Sequence, residues 1–203
     1  MRIRTPLTEA FARAIVQPAL DSACDALLGP GRWVRKAHVG GTVPVRFPHA
    51  DDPGDAGWHI DGSYDVDGAW WVNVRSRWRG LLALYLFSDV ELEDAPTEVK
   101  VGSHLDIPPV LVVFGDTGVP FEAVSASLLA TTLDRPSAFV TGSAGDVYLC
   151  HPFLLHRATW PHRGCRPRAI AQPEVPHNDP FVLDGVDPCP VEEAILRGLG
   201  GPI

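Results

Sequence analysis

His59 and Asp61 flank Ile60 in the segment WHIDGSY. In an extended chain, residues two apart project from the same face, so this imidazole and carboxylate can meet a single ion. A third candidate donor, His156, lies 97 residues downstream in GDVYLCHPFLLHRATW, where a strand would bring it back across a sheet. Two histidines and one carboxylate form the facial ligand set of non-haem Fe(II) oxygenases, which leaves adjacent coordination positions open for a co-substrate and dioxygen. On its own, H-x-D is a frequent chance pattern, equally a surface pair or a helix cap. His151, five residues before His156, competes for the role of distal donor.

The downstream stretch also carries a cation where a strand is expected. Arg168, twelve positions after His156, opens the apolar run RAIA, and a buried guanidinium is costly without an anionic partner. Its planar fork matches a carboxylate through two parallel hydrogen bonds, which suits the far carboxylate of 2-oxoglutarate while the keto-acid end chelates iron. Arg166 alternates with Arg168 around Pro167 and is expected on the same face, so it competes for this role. Thr159, nine residues before Arg168, offers a hydroxyl to the same carboxylate, although a threonine near a strand end is commonly structural.

These residues need a rigid frame, and the chain reads as one built mainly from short strands. Residues 5–28 place Leu7, Phe11, Ile15, Ala19 and Leu20 at helical spacing behind Thr5-Pro6 and stop at Gly29-Pro30-Gly31, which predicts one N-terminal helix. RWVRKAHV and GTVPVRFP alternate apolar and polar residues on either side of Gly40-Gly41, as a hairpin does. PHADDPGDAG is turn chemistry leading into the His59 segment. WWVNV is expected as a strand, and GLLALYLFSDV, apolar at consecutive positions, as a strand covered on both faces. Further strands are expected in EVKVGSH, SAFVTGSAGDVYLCHP, LLHRATW and PRAIAQPEV, with helices around FEAVSASLLATTL and PVEEAILRGL. Many short strands with helices at the ends predict an antiparallel barrel or sandwich with helical buttressing. We expect one domain over 1–203, with a helix at about 5–28, a β core at about 33–176 and a closing helix at about 190–199.

The formal charge is 17 minus 25, or −8, with acidic residues scattered along the chain, so no basic face is available for a nucleic acid backbone. Cys24, Cys150, Cys165 and Cys189 are widely spaced with no C-x-x-C pair, which argues against a zinc knuckle or a disulfide framework and for a cytoplasmic setting. No window approaches the roughly 20 apolar residues of a membrane span, so no membrane role is expected.

WHIDGS, the APT and VGSH segments between 95 and 104, GSAGDVYLCHPFLLH and RPRAIAQP together resemble the phytanoyl-CoA dioxygenase-like family over roughly residues 55–173. The resemblance implies a double-stranded β-helix, a cupin-like jelly roll. It also implies Fe(II) held by His59, Asp61 and His156, 2-oxoglutarate held by Arg168, and dioxygen as the oxidant. The family pattern places its histidine after an apolar pair, here Leu154-Leu155, which favours His156 over His151, and it favours Arg168 over Arg166. It further makes Gly102-Ser103-His104 a structural turn with a hydrogen-bonding histidine.

The implied reaction is oxidation of a C–H bond of a small organic substrate with release of succinate and CO2, and an aspartate at position 61 favours oxygenation over halogenation. Tyr64 and Trp71 are the candidate substrate contacts, drawn from an aromatic-rich segment that equally suits a core. Arg75, Arg77 and Arg79 alternate and are expected to share a strand face. Two other readings use the same residues: a metal-dependent hydrolase, in which the triad binds zinc and activates water, and an inactive jelly-roll module that binds a small ligand.

Overall fold

The computed structural model describes residues 1–5, 8–40 and 42–203. Strand β1 (Arg2–Arg4) precedes two helices, α1 (Glu9–Ile15) and α2 (Pro18–Leu28), where the sequence predicts one. Proline explains the break. Pro18 has no N–H to give the preceding turn and its ring crowds the residue before it, so Gln17 is extended at φ −126° and ψ 124°. The N-cap of α1 is Thr8, and the expected start at Pro6 and Leu7 lies outside the described residues. α2 ends at Gly29, whose φ of 92° suits glycine.

The remaining elements are β2 (Thr42–Arg46), β3 (Ser63–Val66), β4 (Ala69–Val72), β5 (Leu81–Leu86), β6 (Thr97–Lys100), α3 (Ile107–Leu111), β7 (Val119–Pro120), α4 (Phe121–Thr131), β8 (Ser137–Val140), β9 (Val147–Cys150), β10 (His156–Arg157), β11 (Arg168–Ala171), β12 (Glu174–Val175) and α5 (Pro190–Leu199). Two helices, α4 and α5, fall where their apolar spacing predicts them. The hairpin expected across Gly40-Gly41 does not form among the described residues, of which Gly41 is not one. Both edges of β2 are taken, by β1 and by β11, so no edge is left for a strand over 33–39. That segment is drawn onto α2 instead: the Trp33 indole N–H donates to Asp25 at 2.7 Å, and Arg35 pairs with Asp21 at 3.0 Å and Asp25 at 3.3 Å.

One antiparallel sheet runs β1, β2, β11, β5, with β12 on the same edge of β5 as β11 and β9 on the other. A second sheet has the order β10, β6, β8, and a bridge between His156 and His59 extends it. Strands β3, β4 and β7 form a small lateral sheet. Every residue of β5 is buried, which matches its consecutive apolar sequence. Leu81, Ala83 and Tyr85 join a large cluster with Cys24 and Leu28 of α2 and Ile195 of α5, whereas Leu82, Leu84 and Leu86 join Val90, Val140, Cys150 and Ile170 between the sheets.

The same alternation orients the flanking strands. Val43, Val45 and Ala171 belong to the helix-side cluster, so Arg46, Arg168 and Ile170 face the second sheet. Val99 of β6 packs on the inner cluster, and its cross-strand partner His156 shares that face. The molecule is therefore mainly β, two curled antiparallel sheets over an apolar interior with helices outside. Among the described residues no helix is long and apolar enough to cross a membrane.

Candidate metal centre

His59, Asp61 and His156 each offer a ligand atom, and these atoms lie within 4.8 Å of one another. Backbone pairing brings them together. His59 and His156 exchange two N–H to carbonyl hydrogen bonds of 2.9 Å each, which sets the two rings 4.3 Å apart. The amides of Asp61 and Gly62 both donate to the Pro152 carbonyl, at 3.1 and 2.9 Å, and fasten the H-x-D turn to the segment before His156. Gly62 is needed there, because an added Cβ would lie 2.5 Å from the buried Phe153 ring.

Side-chain hydrogen bonds then select the ligand atoms. His59 Nδ1 lies 2.8 Å from the Gly57 carbonyl and His156 Nδ1 lies 2.9 Å from the Leu154 carbonyl. A carbonyl only accepts, so each Nδ1 carries the proton and each Nε2 keeps its lone pair for a metal. Burial lowers the pKa of His156, with the nearby Asp61 acting the other way and His59 and Arg79 adding to the fall, so the neutral ring that a metal requires is favoured. Arg79 Nη1 lies 3.3 Å from Asp61 Oδ2, and Arg79 Nη2 reaches Glu174 Oε2 at 3.7 Å. One carboxylate oxygen is held in this way, which leaves the other available as the donor in the His59, Asp61 and His156 group.

His151 is engaged elsewhere. Its Nδ1 accepts from the Phe153 amide at 3.0 Å and its Nε2 donates to the Val191 carbonyl at 3.2 Å, so the ring faces α5. Burial, with His104 beside it, pushes its pKa down to about 3. His104 lies in a 3-10 turn over Ser103–Leu105 entered through Gly102 at φ 84°, as expected for a turn. The hydrogen bond expected of its ring is missing at Nδ1, which is buried without a partner, and the ring instead lies 5.0 Å from that of His151, tilted by 31°.

Arg166 is exposed and Arg168 is 3% exposed, so β11 separates two residues that spacing alone leaves equivalent. Arg168 Nη1 donates to the Ala95 carbonyl at 2.6 Å, while its Nε is buried with no partner. Burial and the adjacent Arg46 push its pKa down to about 10, with Asp55 and Asp94 acting the other way. Thr159 donates its hydroxyl to the Pro96 carbonyl at 2.6 Å.

Tyr64 and Trp71 are direct partners in the β3–β4 register and line a cleft of about 580 Å³ together with Asn73, Arg77 and Asp116. Tyr64 is buried and donates to the Thr117 carbonyl at 2.6 Å. The three alternating arginines do not share a strand face, because residues 73–80 turn sharply at Ser76, which has φ 46°. Arg75 pairs with Asp116, Arg77 lies over the Tyr64 ring and Arg79 holds Asp61.

Arg79 and Arg46 are functional candidates that sequence spacing does not single out. For Arg46 a signal exists, since VPVRF puts it on the face opposite Val43 and Val45, the argument already used for Arg168.

No protein-family model and no curated protein matches the chain. Solved structures do match. The non-heme alpha ketoglutarate dependent epimerase SnoN from nogalamycin biosynthesis aligns with 88% of this chain at 16% identity and a TM-score of 0.52, and the chain spans 60% of its length. EvdMO1 aligns with 87% at 17% identity and a TM-score of 0.52, the chain spanning 35% of it. HygX from Streptomyces hygroscopicus, solved with nickel and 2-oxoglutarate bound, aligns with 90% at 17% identity and a TM-score of 0.50, the chain spanning 71% of it. At these identities the likeness speaks to architecture: the chain shares the jelly-roll fold of these structures.

Proposed function

We propose that this chain is an Fe(II)- and 2-oxoglutarate-dependent oxygenase that oxidises a C–H bond of a small organic substrate and releases succinate and CO2. The observation that carries this reading is the convergence of His59, Asp61 and His156 with both imidazole Nδ1 atoms committed to carbonyls. Two nitrogen donors and one carboxylate suit iron and leave coordination positions for a bidentate oxo acid. The orphaned Nε of Arg168 suits a carboxylate, which a hydrolytic zinc site would not need. The resemblance to the phytanoyl-CoA dioxygenase-like family and the iron and 2-oxoglutarate bound by HygX support the same reading.

In this reading His59 Nε2, His156 Nε2 and Asp61 hold the metal, and Arg168 holds the far carboxylate of the co-substrate. Bound iron with 2-oxoglutarate supplies dioxygen activation and oxidative decarboxylation coupled to attack on the substrate C–H bond. Leu82, Leu84, Leu86 and Ile170 keep the interior between the sheets apolar and exclude water from that chemistry. Thr159, spent on Pro96, acts indirectly by positioning the Ala95 carbonyl that receives Arg168. Tyr64 and Trp71 line a cleft that none of His59, Asp61 and His156 borders, so a substrate held there would have to extend beyond it to reach the metal.

The test is an anaerobic titration of metal-free protein with Fe(II) and 2-oxoglutarate, read as the visible metal-to-ligand charge-transfer band. Wild type should develop the band, His156→Ala should not, and Arg168→Ala should require at least about 30-fold more 2-oxoglutarate. Folded, iron-loaded wild type without a band would overturn the proposal.

A further inference from the structure

The Arg168 guanidinium is not alone. Arg46 is its direct cross-strand partner in the β2–β11 register, and both side chains face the interior between the sheets. Like charges directly opposite each other in a sheet repel, and buried guanidiniums are ordinarily paired. Here the Nε atoms of both arginines are buried without partners. Both ring nitrogens of His162, itself 4% exposed, are also buried without partners, and the nearest acid to that ring is Asp94 at 3.9 Å. The fold has therefore gathered two cations near a histidine with spare hydrogen-bonding capacity, both arginines lying close enough to His162 to disfavour its charged form.

The acid that reaches in is Asp55, whose carboxylate lies 2.5 Å from Arg46 Nη2 and is 42% exposed. It belongs to the Pro- and Asp-rich loop over 48–57, and the first turn of that loop is tied to the His162 segment because His49 and His162 exchange two backbone hydrogen bonds of 3.0 Å. Asp94 is the other acid near Arg168, yet neither carboxylate accepts from the buried Nε of either guanidinium, and that donor capacity is what stays unmatched. On the co-substrate reading, the second carboxylate of a dicarboxylic oxo acid is the anion whose acceptor oxygens match these unpartnered donors.

We propose that Arg46 is a second anchor for the far carboxylate of the co-substrate, with His162 completing the subsite, and that Asp55 competes with that carboxylate for Arg46. This rests on the co-substrate reading above and deepens it, because two guanidiniums make the second carboxylate of the oxo acid a requirement for binding. It also assigns opposite signs to neighbouring residues. Removing Arg46 weakens co-substrate binding, whereas neutralising Asp55 strengthens it.

Calorimetric titration of 2-oxoglutarate into Ni(II)-loaded protein measures this without turnover, with 2-oxobutyrate as the oxo acid that lacks a second carboxylate. Arg46→Gln should raise the dissociation constant for 2-oxoglutarate about 30-fold or more and leave 2-oxobutyrate unchanged. Asp55→Asn, at an exposed position that does not threaten folding, should lower the constant for 2-oxoglutarate by up to about fivefold, and the gain should vanish in the double variant. Wild-type affinity in a folded Arg46→Gln protein would overturn the proposal. So would weaker binding in Asp55→Asn, which would make Asp55 a support for Arg46 and not its competitor. Failure of the underlying reading has a different signature, no 2-oxoglutarate binding by wild type, and it would overturn both.

Discussion

At the scale of single residues the metal site depends on what the ligands' other atoms do. Each imidazole has its proton fixed by a carbonyl, and Asp61 has one oxygen held by Arg79, so on the proposed reading the candidate donor atoms are oriented without an ion. Arg79 is a positioning residue in this arrangement. Arg79→Gln should lower Ni(II) affinity by about 10- to 100-fold, measured by competition with a chelator, while Arg13→Gln on the exposed face of α1 should leave it unchanged. Equal affinity in the two variants would show that Asp61 orients itself. Much of this site is legible in the chain, because residues two apart on a strand share a face wherever the strand goes, and that placed His59 and Asp61 together. Arg79 was not legible, since its approach to Asp61 depends on a turn at Ser76 that breaks the expected alternation.

At the scale of elements, close approach between two segments decides whether the ligands meet. The H-x-D turn lies against residues 152–156 through paired backbone hydrogen bonds, and Gly62 allows it by offering no Cβ to Phe153. Gly62→Ala should destabilise the fold by about 1–3 kcal/mol, read as a lower urea midpoint, and should weaken metal binding as the turn is pushed off. A variant that keeps both would mean that Phe153 has room to move. The helix break at Pro18 belongs to this scale too. Apolar spacing runs through it unbroken, and a single missing N–H overrides the pattern. The lost hairpin over 33–48 has a different cause, since alternation predicts a strand but not its neighbour, and β2 takes β1 and β11 as partners.

At the scale of the whole molecule, contacts between distant segments tie the N-terminal helices to the C-terminal one. Arg32, just after α2, meets Glu192 of α5 through a fork in which Nη1 lies 2.9 Å from Oε2, and Glu192 also accepts from the amides of Val182 and Cys189. Burial works to raise the carboxyl pKa, but these donors outweigh it and the pKa is lowered. A carboxylate with a folded pKa below its unfolded value, about 4.3, contributes stability above that pH and loses it as the pH falls through the folded pKa. Acid unfolding of wild type between about pH 5 and the folded pKa should therefore be steeper than that of Glu192→Gln, followed by circular dichroism. Parallel curves would remove this pair from the acid response.

The arginine pair shows where local pattern and global arrangement part. Face and burial patterns are properties of consecutive residues, so the chain alone put a cation, Arg168, at the head of an apolar strand, made β5 a strand covered on both faces, and put His59 and Asp61 on one face. Register is a property of two segments more than a hundred residues apart. It is settled by which edges remain free once every strand has found a partner and which faces bury the most apolar surface. The choice of His156 over His151, the exposure of Arg166, and the gathering of Arg46 and Arg168 near His162 were decided there, because only packing determines which side chains lose their water.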